Sequence, residues 1–268
     1  MRGFNLIPQS GFSVVELLVG ITLSSLLMVF VMQLFMQHKI MQGMTSQLSD
    51  LKSDFVFVQY QLEYAARMAG FRSPPNAQSG LSFTNLDEVY LSGTPYISAT
   101  DNDGFFGSDT LTIRFQGSGN GLGTPDNLVS DCLNTPLDAG DMATNIFSVN
   151  SDFELVCEAQ NGTTGTTTSF ALADNIESLQ VLLGEDLNGD RVADRYVTPD
   201  YSGLDWANVT ALRLGLLLRT DQEIQAQPTT QIFNVLGEII DPADDRRYRQ
   251  VITQTIQLRN VSYVGSQS

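Results

Sequence analysis

The chain has 268 residues, 42% hydrophobic and 16% charged, enough apolar sequence to bury a core and too little for a protein that crosses a membrane many times. Its 30 acidic residues against 14 basic ones leave a net charge of −16, which argues against a nucleic-acid partner, because a phosphate backbone demands a basic surface. Residues 1–70 are balanced, with Arg2, Lys39, Lys52 and Arg67 against Glu16, Asp50, Asp54 and Glu63, so the whole excess falls on residues 71–268 and keeps that part soluble by self-repulsion.

From Phe12 to Met36 the sequence reads FSVVELLVGITLSSLLMVFVMQLFM, with Glu16 as its only charge. At about 1.5 Å per residue such a helix reaches roughly 37 Å, more than the ~30 Å of a bilayer core, so one membrane-spanning helix is predicted. A secretory signal peptide would be shorter and would end in a small-residue cleavage site; neither feature is present. Arg2 before the run and His38 and Lys39 after it barely set an orientation. Glu16 is the exception in the run, because a carboxylate in hydrocarbon is costly unless it snorkels to the headgroups or has a partner.

Met41, Met44, Leu48, Leu51, Phe55, Val58, Leu62, Ala65 and Ala69 then recur at spacings of three and four, which extends the helix with one apolar stripe. A single stripe usually faces the protein's own core, and the alternative is a seam with partner helices. Gly70 and Ser73-Pro74-Pro75-Asn76 end the helix near Ala69.

Residues 76–268 alternate short apolar runs with Gly, Pro, Asn, Asp and Ser clusters, the pattern of a sheet-rich head. Strands are predicted at Val89–Leu91, Thr110–Phe115, Phe153–Cys157, Ile176–Leu183, Val209–Arg219 and Val251–Arg259, with 117–127 and 159–168 as surface loops. Asp186, Asn188, Asp190 and Asp194 stand at loop positions one, three, five and nine of a calcium loop. Arg191 replaces the turn glycine and Val197 the closing glutamate, so weak Ca2+ binding competes with a plain Asn-Gly turn as the reading. No cofactor is required by this sequence. His38 is the single histidine, no Ser, Cys or paired acid is placed to form a triad with it, and no phosphate loop is present, so no catalytic activity is expected.

Ser10-Gly11-Phe12-Ser13-Val14-Val15-Glu16-Leu17-Leu18-Val19 resembles the class III signal of type IV pilins and type II secretion pseudopilins. Tyr64-Ala65-Ala66-Arg67-Met68-Ala69-Gly70-Phe71-Arg72 resembles the segment that closes the long helix of PilW-like minor pilins. Three head stretches resemble the same family: Gly107–Arg114, Trp206–Arg213, and Arg246-Arg247-Tyr248 with Gln257-Leu258-Arg259-Asn260. The resemblance implies that a prepilin peptidase cuts after Gly11 and methylates the new amine of Phe12. Glu16, then the fifth mature residue, would pair with the terminal amine of a neighbouring subunit and set the stagger, each charge neutralising the other.

The fold so implied is α+β and pilin-like, with one long N-terminal helix packed against a C-terminal β-sheet-rich head. Its parts are a leader over 1–11, a helix over 12–70 with its transmembrane half at 12–36 and amphipathic half at 37–70, and a periplasmic or extracellular head over 71–268. The implied function is that of a minor pilin, priming and capping type IV pilus assembly with other minor pilins and a tip adhesin and meeting the major pilin through its helix. Before assembly it would sit in the inner membrane with its head in the periplasm, and afterwards at the extracellular pilus tip. A head outside the cytoplasm meets oxidising conditions, so a bridge between Cys132 and Cys157 is predicted, with a buried thiol pair as the alternative. Two rival readings are a minor pseudopilin of a type II secretion system and a plain single-span protein with a ligand-binding head, in which Gly11 would stay uncut.

Overall fold

The computed structural model describes residue 11 and residues 13–73, 95–162 and 165–260. One helix, α1 (Val14–Met68), is followed by eleven strands among the described residues. The chain divides into two compact units, Met1–Gln47 and Leu48–Ser268.

In the first unit every described residue up to Met44 is exposed, including the apolar run Val14–Met36. The hydroxyls that interrupt this run are satisfied within the helix. Thr22 donates to the Leu18 carbonyl at 3.0 Å and Ser24 to the Gly20 carbonyl at 2.7 Å, so neither needs water. Among the described residues α1 is the one helix long and apolar enough to cross a membrane.

The second unit begins with the last turns of α1, where Leu51, Val58, Leu62, Ala65, Ala66 and Ala69 are buried at helical spacing and join the main core. The stripe therefore faces the head's own sheets over this stretch. Alanines let the backbone of α1 approach closely, and Gly70 ends it in a left-handed turn (φ +71°) where an added Cβ would lie 3.4 Å from the Tyr96 ring. The Gly70 N–H donates to the Arg114 carbonyl at 3.0 Å, and the Asn260 side chain donates to the Arg67 carbonyl at 2.8 Å. The small residues at the end of α1, Gly70 and the distant Asn260 thus meet at one place.

Strands β1 (Ile97–Thr100), β2 (Thr110–Gln116), β3 (Met142–Val149), β4 (Leu155–Asn161) and β5 (Thr167–Ala173) form one antiparallel sheet in chain order. A second antiparallel sheet has the order β11 (Arg249–Gln257), β8 (Val209–Arg219), β6 (Ile176–Glu185), β7 (Arg195–Val197). A short hairpin, β9 (Phe233–Val235) and β10 (Glu238–Ile240), makes its own small cluster with Leu217. Strands β6 and β8 are covered on both faces, with Leu179, Leu183, Leu212 and Leu217 fully buried, each such leucine contributing about 1.5–3 kcal/mol.

The expected strand Val89–Leu91 lies outside the described residues. Three other expectations are corrected. Phe153 is not in a strand: it sits in a left-handed turn (φ 62°), and β4 starts at Leu155. Segment 159–168 is not a loop throughout, since Ala159–Asn161 end β4 and Thr167–Thr168 begin β5 in an antiparallel pairing. Segment 117–127 is a turn fastened to the rest of the head. Gly121 and Gly123 N–H groups donate to the Asp138 carboxylate at 2.9 and 2.8 Å, and Gly117 lies so close to the Asp138 carbonyl that a Cβ there would be 2.2 Å away.

Candidate assembly surfaces

The start of α1 is a reciprocal cap. The Ser13 hydroxyl accepts the Val15 N–H at 3.3 Å, and the Glu16 carboxylate accepts the Ser13 N–H at 3.0 Å, a variant of the Ser-x-x-Glu capping box in which the hydroxyl takes the second helical N–H in place of the third. Gly11 is exposed with nothing within 4 Å of an added Cβ, and Phe12 lies outside the described residues. Ser13 is a residue that sequence reasoning missed, although the four-residue signature was there to be read.

Along α1 in the second unit a second apolar stripe faces away from the core. Val56, Phe57 and Tyr60 are exposed, and Tyr60 stacks on Tyr64 with ring centroids 6.5 Å apart. Helical geometry puts these residues roughly opposite Val58, Leu62 and Ala65. Among the described residues this outward apolar stripe is left uncovered on a helix whose other side is already packed.

Cys132 and Cys157 are joined in a disulfide, with Cα atoms 6.4 Å apart and Cys157 fully buried in β4. It ties the turn after 117–127 to the middle of the first sheet.

In the acidic loop the carboxylates act as backbone caps. Asp186 accepts N–H bonds from Asn188, Gly189 and Arg191 at 3.0, 2.7 and 2.7 Å, Asp194 accepts the Leu187 N–H at 2.7 Å, and Asp190 accepts the Val192 N–H at 2.8 Å. Desolvation works against the Asp186 charge, yet the N–H groups of Arg191, Gly189 and Asn188 together outweigh it and hold its carboxyl below the usual range. Arg191 takes the left-handed conformation (φ 71°) in which a calcium loop has glycine. Among the described residues no group of three or more His, Cys, Asp or Glu is arranged to hold a metal ion. Arg195 turns to Glu185 at 2.7 Å and lies over the Tyr201 ring, away from the loop acids.

Buried polar groups stitch the two sheets together. Asp109 accepts the Asn102 and Val181 N–H groups at 2.8 and 2.7 Å, and its own N–H donates to the Leu179 carbonyl at 2.8 Å. Desolvation pushes its carboxyl up to about 6 in spite of these bonds. Glu177 and Arg249, both buried, meet at 2.7 Å, and Arg249 also reaches Asp245 at 2.6 Å. Desolvation opposes the Arg249 charge, but Asp245 and Glu177 outweigh it, so Arg249 holds its proton more tightly than usual. Arg219, stacked on Phe153 with its guanidinium 3.7 Å from the ring centre, reaches Glu177 at 3.5 Å. These groups are ion pairs and caps, and none forms a nucleophile with an adjacent base.

Residues 146–260 match the family model described as Type IV Pilus-assembly protein W. No curated protein matches the chain. Among solved structures, a type IV-like pilin from Thermus thermophilus is similar at 15% identity and a TM-score of 0.46, over 79% of this chain and 98% of that one. The matched family region runs from the middle of β3 to Asn260, which fastens the end of α1. A single long apolar helix leads into an antiparallel sheet head, and the C-terminal part of that head, from β3 to Asn260, is similar to the type IV pilus-assembly protein W family.

Proposed function

We propose that the chain is a minor pilin, made as a prepilin, cut after Gly11 and assembled at the tip of a type IV pilus, where it helps to prime and cap the filament. The observation that carries this reading is the wholly exposed apolar surface of α1 from Val14 to Met36. Such a surface is stable only in lipid or against other apolar helices, and a filament of stacked helices offers the second environment after the first. Glu16, at the start of this helix, would leave the Ser13 N–H for the Phe12 amine of a neighbouring subunit and so fix the stagger. The outward stripe at Val56, Phe57 and Tyr60 would continue the helical contact beside the head. The partners in this reading are other minor pilins, the major pilin, a tip adhesin and the prepilin peptidase. The head would face the periplasm before assembly and the exterior afterwards, and would act by contact without a reaction of its own.

The test is the intact mass and N-terminal sequence of the protein recovered from membranes of cells that contain the prepilin peptidase. A chain beginning at methylated Phe12 is expected, and one still beginning at Met1 overturns the reading. Deleting the gene separates the rival: loss of surface pili and twitching is expected, whereas loss of exoprotein secretion with pili intact assigns the chain to a type II secretion system.

A further inference from the structure

Sheet edges are hazards that folded proteins normally shorten, charge or cover. Three of the four edges of the two main sheets are managed in this way. β1 has four residues and β7 three. β11 is long, but Val251 packs on the β9–β10 cluster and Gln254 donates to Glu63 of α1 at 3.1 Å. Among the described residues the fourth edge, β5, has none of these protections.

Thr167–Ala173 pairs with β4 on one side, and among the described residues no hydrogen bond reaches its other side. Thr167, Thr168, Ser169 and Phe170 are exposed, and Phe170, at the centre of the strand, exposes 66% of its surface. Between Glu158 and Asp174 the sequence has no charge and no proline, although the chain as a whole carries 30 acidic residues. An uncharged, proline-free edge of seven residues presents a row of open N–H and C=O groups at strand spacing, and the chemistry that matches such a row is another extended backbone.

We propose that β5 receives an extended, uncharged segment of a different subunit as a sixth strand of the sheet, with Phe170 as the side-chain anchor. The absence of charge along the edge favours a partner segment that is itself uncharged, since a charged side chain brought there would lose water without gaining a counter-ion. A second copy of this chain is disfavoured as the occupant by its own net charge of −16. The inference rests on the filament reading above and adds where the head, as distinct from the helix, joins its neighbour.

The test compares amide hydrogen exchange of the peptide spanning 165–173 in sheared filaments and in the full-length chain solubilised in detergent. Exchange slowed by about tenfold or more in filaments is expected, because paired edge amides are protected. A Thr168→Lys, Phe170→Lys double variant places charges on two exposed positions, so it is expected to keep its melting temperature and disulfide but to be missing from filaments. Equal exchange in both pools, or normal incorporation of the double variant, overturns the inference and leaves the filament reading standing. Protection that grows with chain concentration in detergent alone also overturns it, in favour of a second copy. A chain that still begins at Met1 and never reaches filaments brings down both.

Discussion

The carboxylate of Glu16 accepts the backbone N–H of Ser13 at 3.0 Å, one residue away from the position where cleavage after Gly11 would create a new amine. In the isolated chain the acid is thus a helix cap, held at the end of α1 where a terminal charge would arise. Capping needs an acceptor, which glutamine also supplies, whereas neutralising an amine needs a negative charge. Glu16→Gln should therefore be processed and membrane-inserted like the parent yet fail to enter filaments, and Glu16→Ala should fail in the same way. Filament incorporation of Glu16→Gln at parental levels, measured by immunoblot of sheared pili, would show that the cap is the whole role of this residue.

Breaking the Cys132–Cys157 bond frees a loop with a sequence separation of 25 residues. The chain-entropy estimate puts its contribution at about 3 kcal/mol. Cys157→Ala should lower the thermal midpoint of the head by several degrees, and reductant should shift the parent in the same direction and leave the variant unmoved.

Asp109 gives the head an unusual acid response. Its carboxyl titrates at about 6 when folded against 3.8 as the ordinary value, so the folded state binds the proton more tightly. The stability it contributes is fully present below pH 3.8 and is lost as pH rises through about 6. Asp186, Asp138, Asp126 and Asp245 are shifted downward and stay ionised in both states above about pH 5, so they add no slope there. The unfolding free energy read from denaturant titrations should accordingly rise as pH is lowered from about 7 to about 5, by about 1.3 kcal/mol. Asp109→Asn should remove most of that slope.

Asp186 is the acceptor that closes the acidic loop. Asp186→Ala leaves the N–H groups of Asn188, Gly189 and Arg191 to water and loosens the loop, and a lowered thermal midpoint is expected. The drop should be the same with calcium or with a chelator present. A drop seen only with calcium would mean that a metal holds the loop.

Glu177 neutralises the buried Arg249 and lies next to Arg219. Removing it by Glu177→Ala leaves Asp245 as the acid paired with Arg249 and takes from Arg219 its carboxylate partner, with an expected loss of about 1.5–3 kcal/mol. Urea titration of the variant should show this, and an effect below about 1 kcal/mol would place Arg249 in water.

Much of this architecture was legible from periodicity. α1, β2, β6, β8 and β11 were each expected close to where they lie, because long apolar runs and alternating leucines leave few alternatives. β3 was not, because the buried face Ala143, Asn145, Phe147, Val149 contains a polar residue and a small one that break the apolar alternation. β5 was invisible for another reason: its first four residues are exposed on both faces, so there was no inside to alternate with outside. Phe153 misled because an aromatic suggests a strand, while the Asn150 side chain, accepting the N–H groups of Asp152 and Glu154, bends the chain there instead. The Ser13 cap is hidden in the sequence because Glu16 is also the one charge of an apolar run, and the local hydrogen bond between them leaves no mark on the hydropathy pattern.

The meeting of Gly70, Arg67 and Asn260 has a mechanical meaning. The first and last described residues of the head are fastened at one place, through the Gly70 N–H to Arg114 and the Asn260 side chain to Arg67. Tension arriving along α1 is handed at that point to β2 and to the segment after β11 at once. Both paths must yield together, so a pull on the helix strains a set of bonds in parallel instead of peeling one strand from an end. The turns after β2 and the β5 edge lie between those two attachments in the chain.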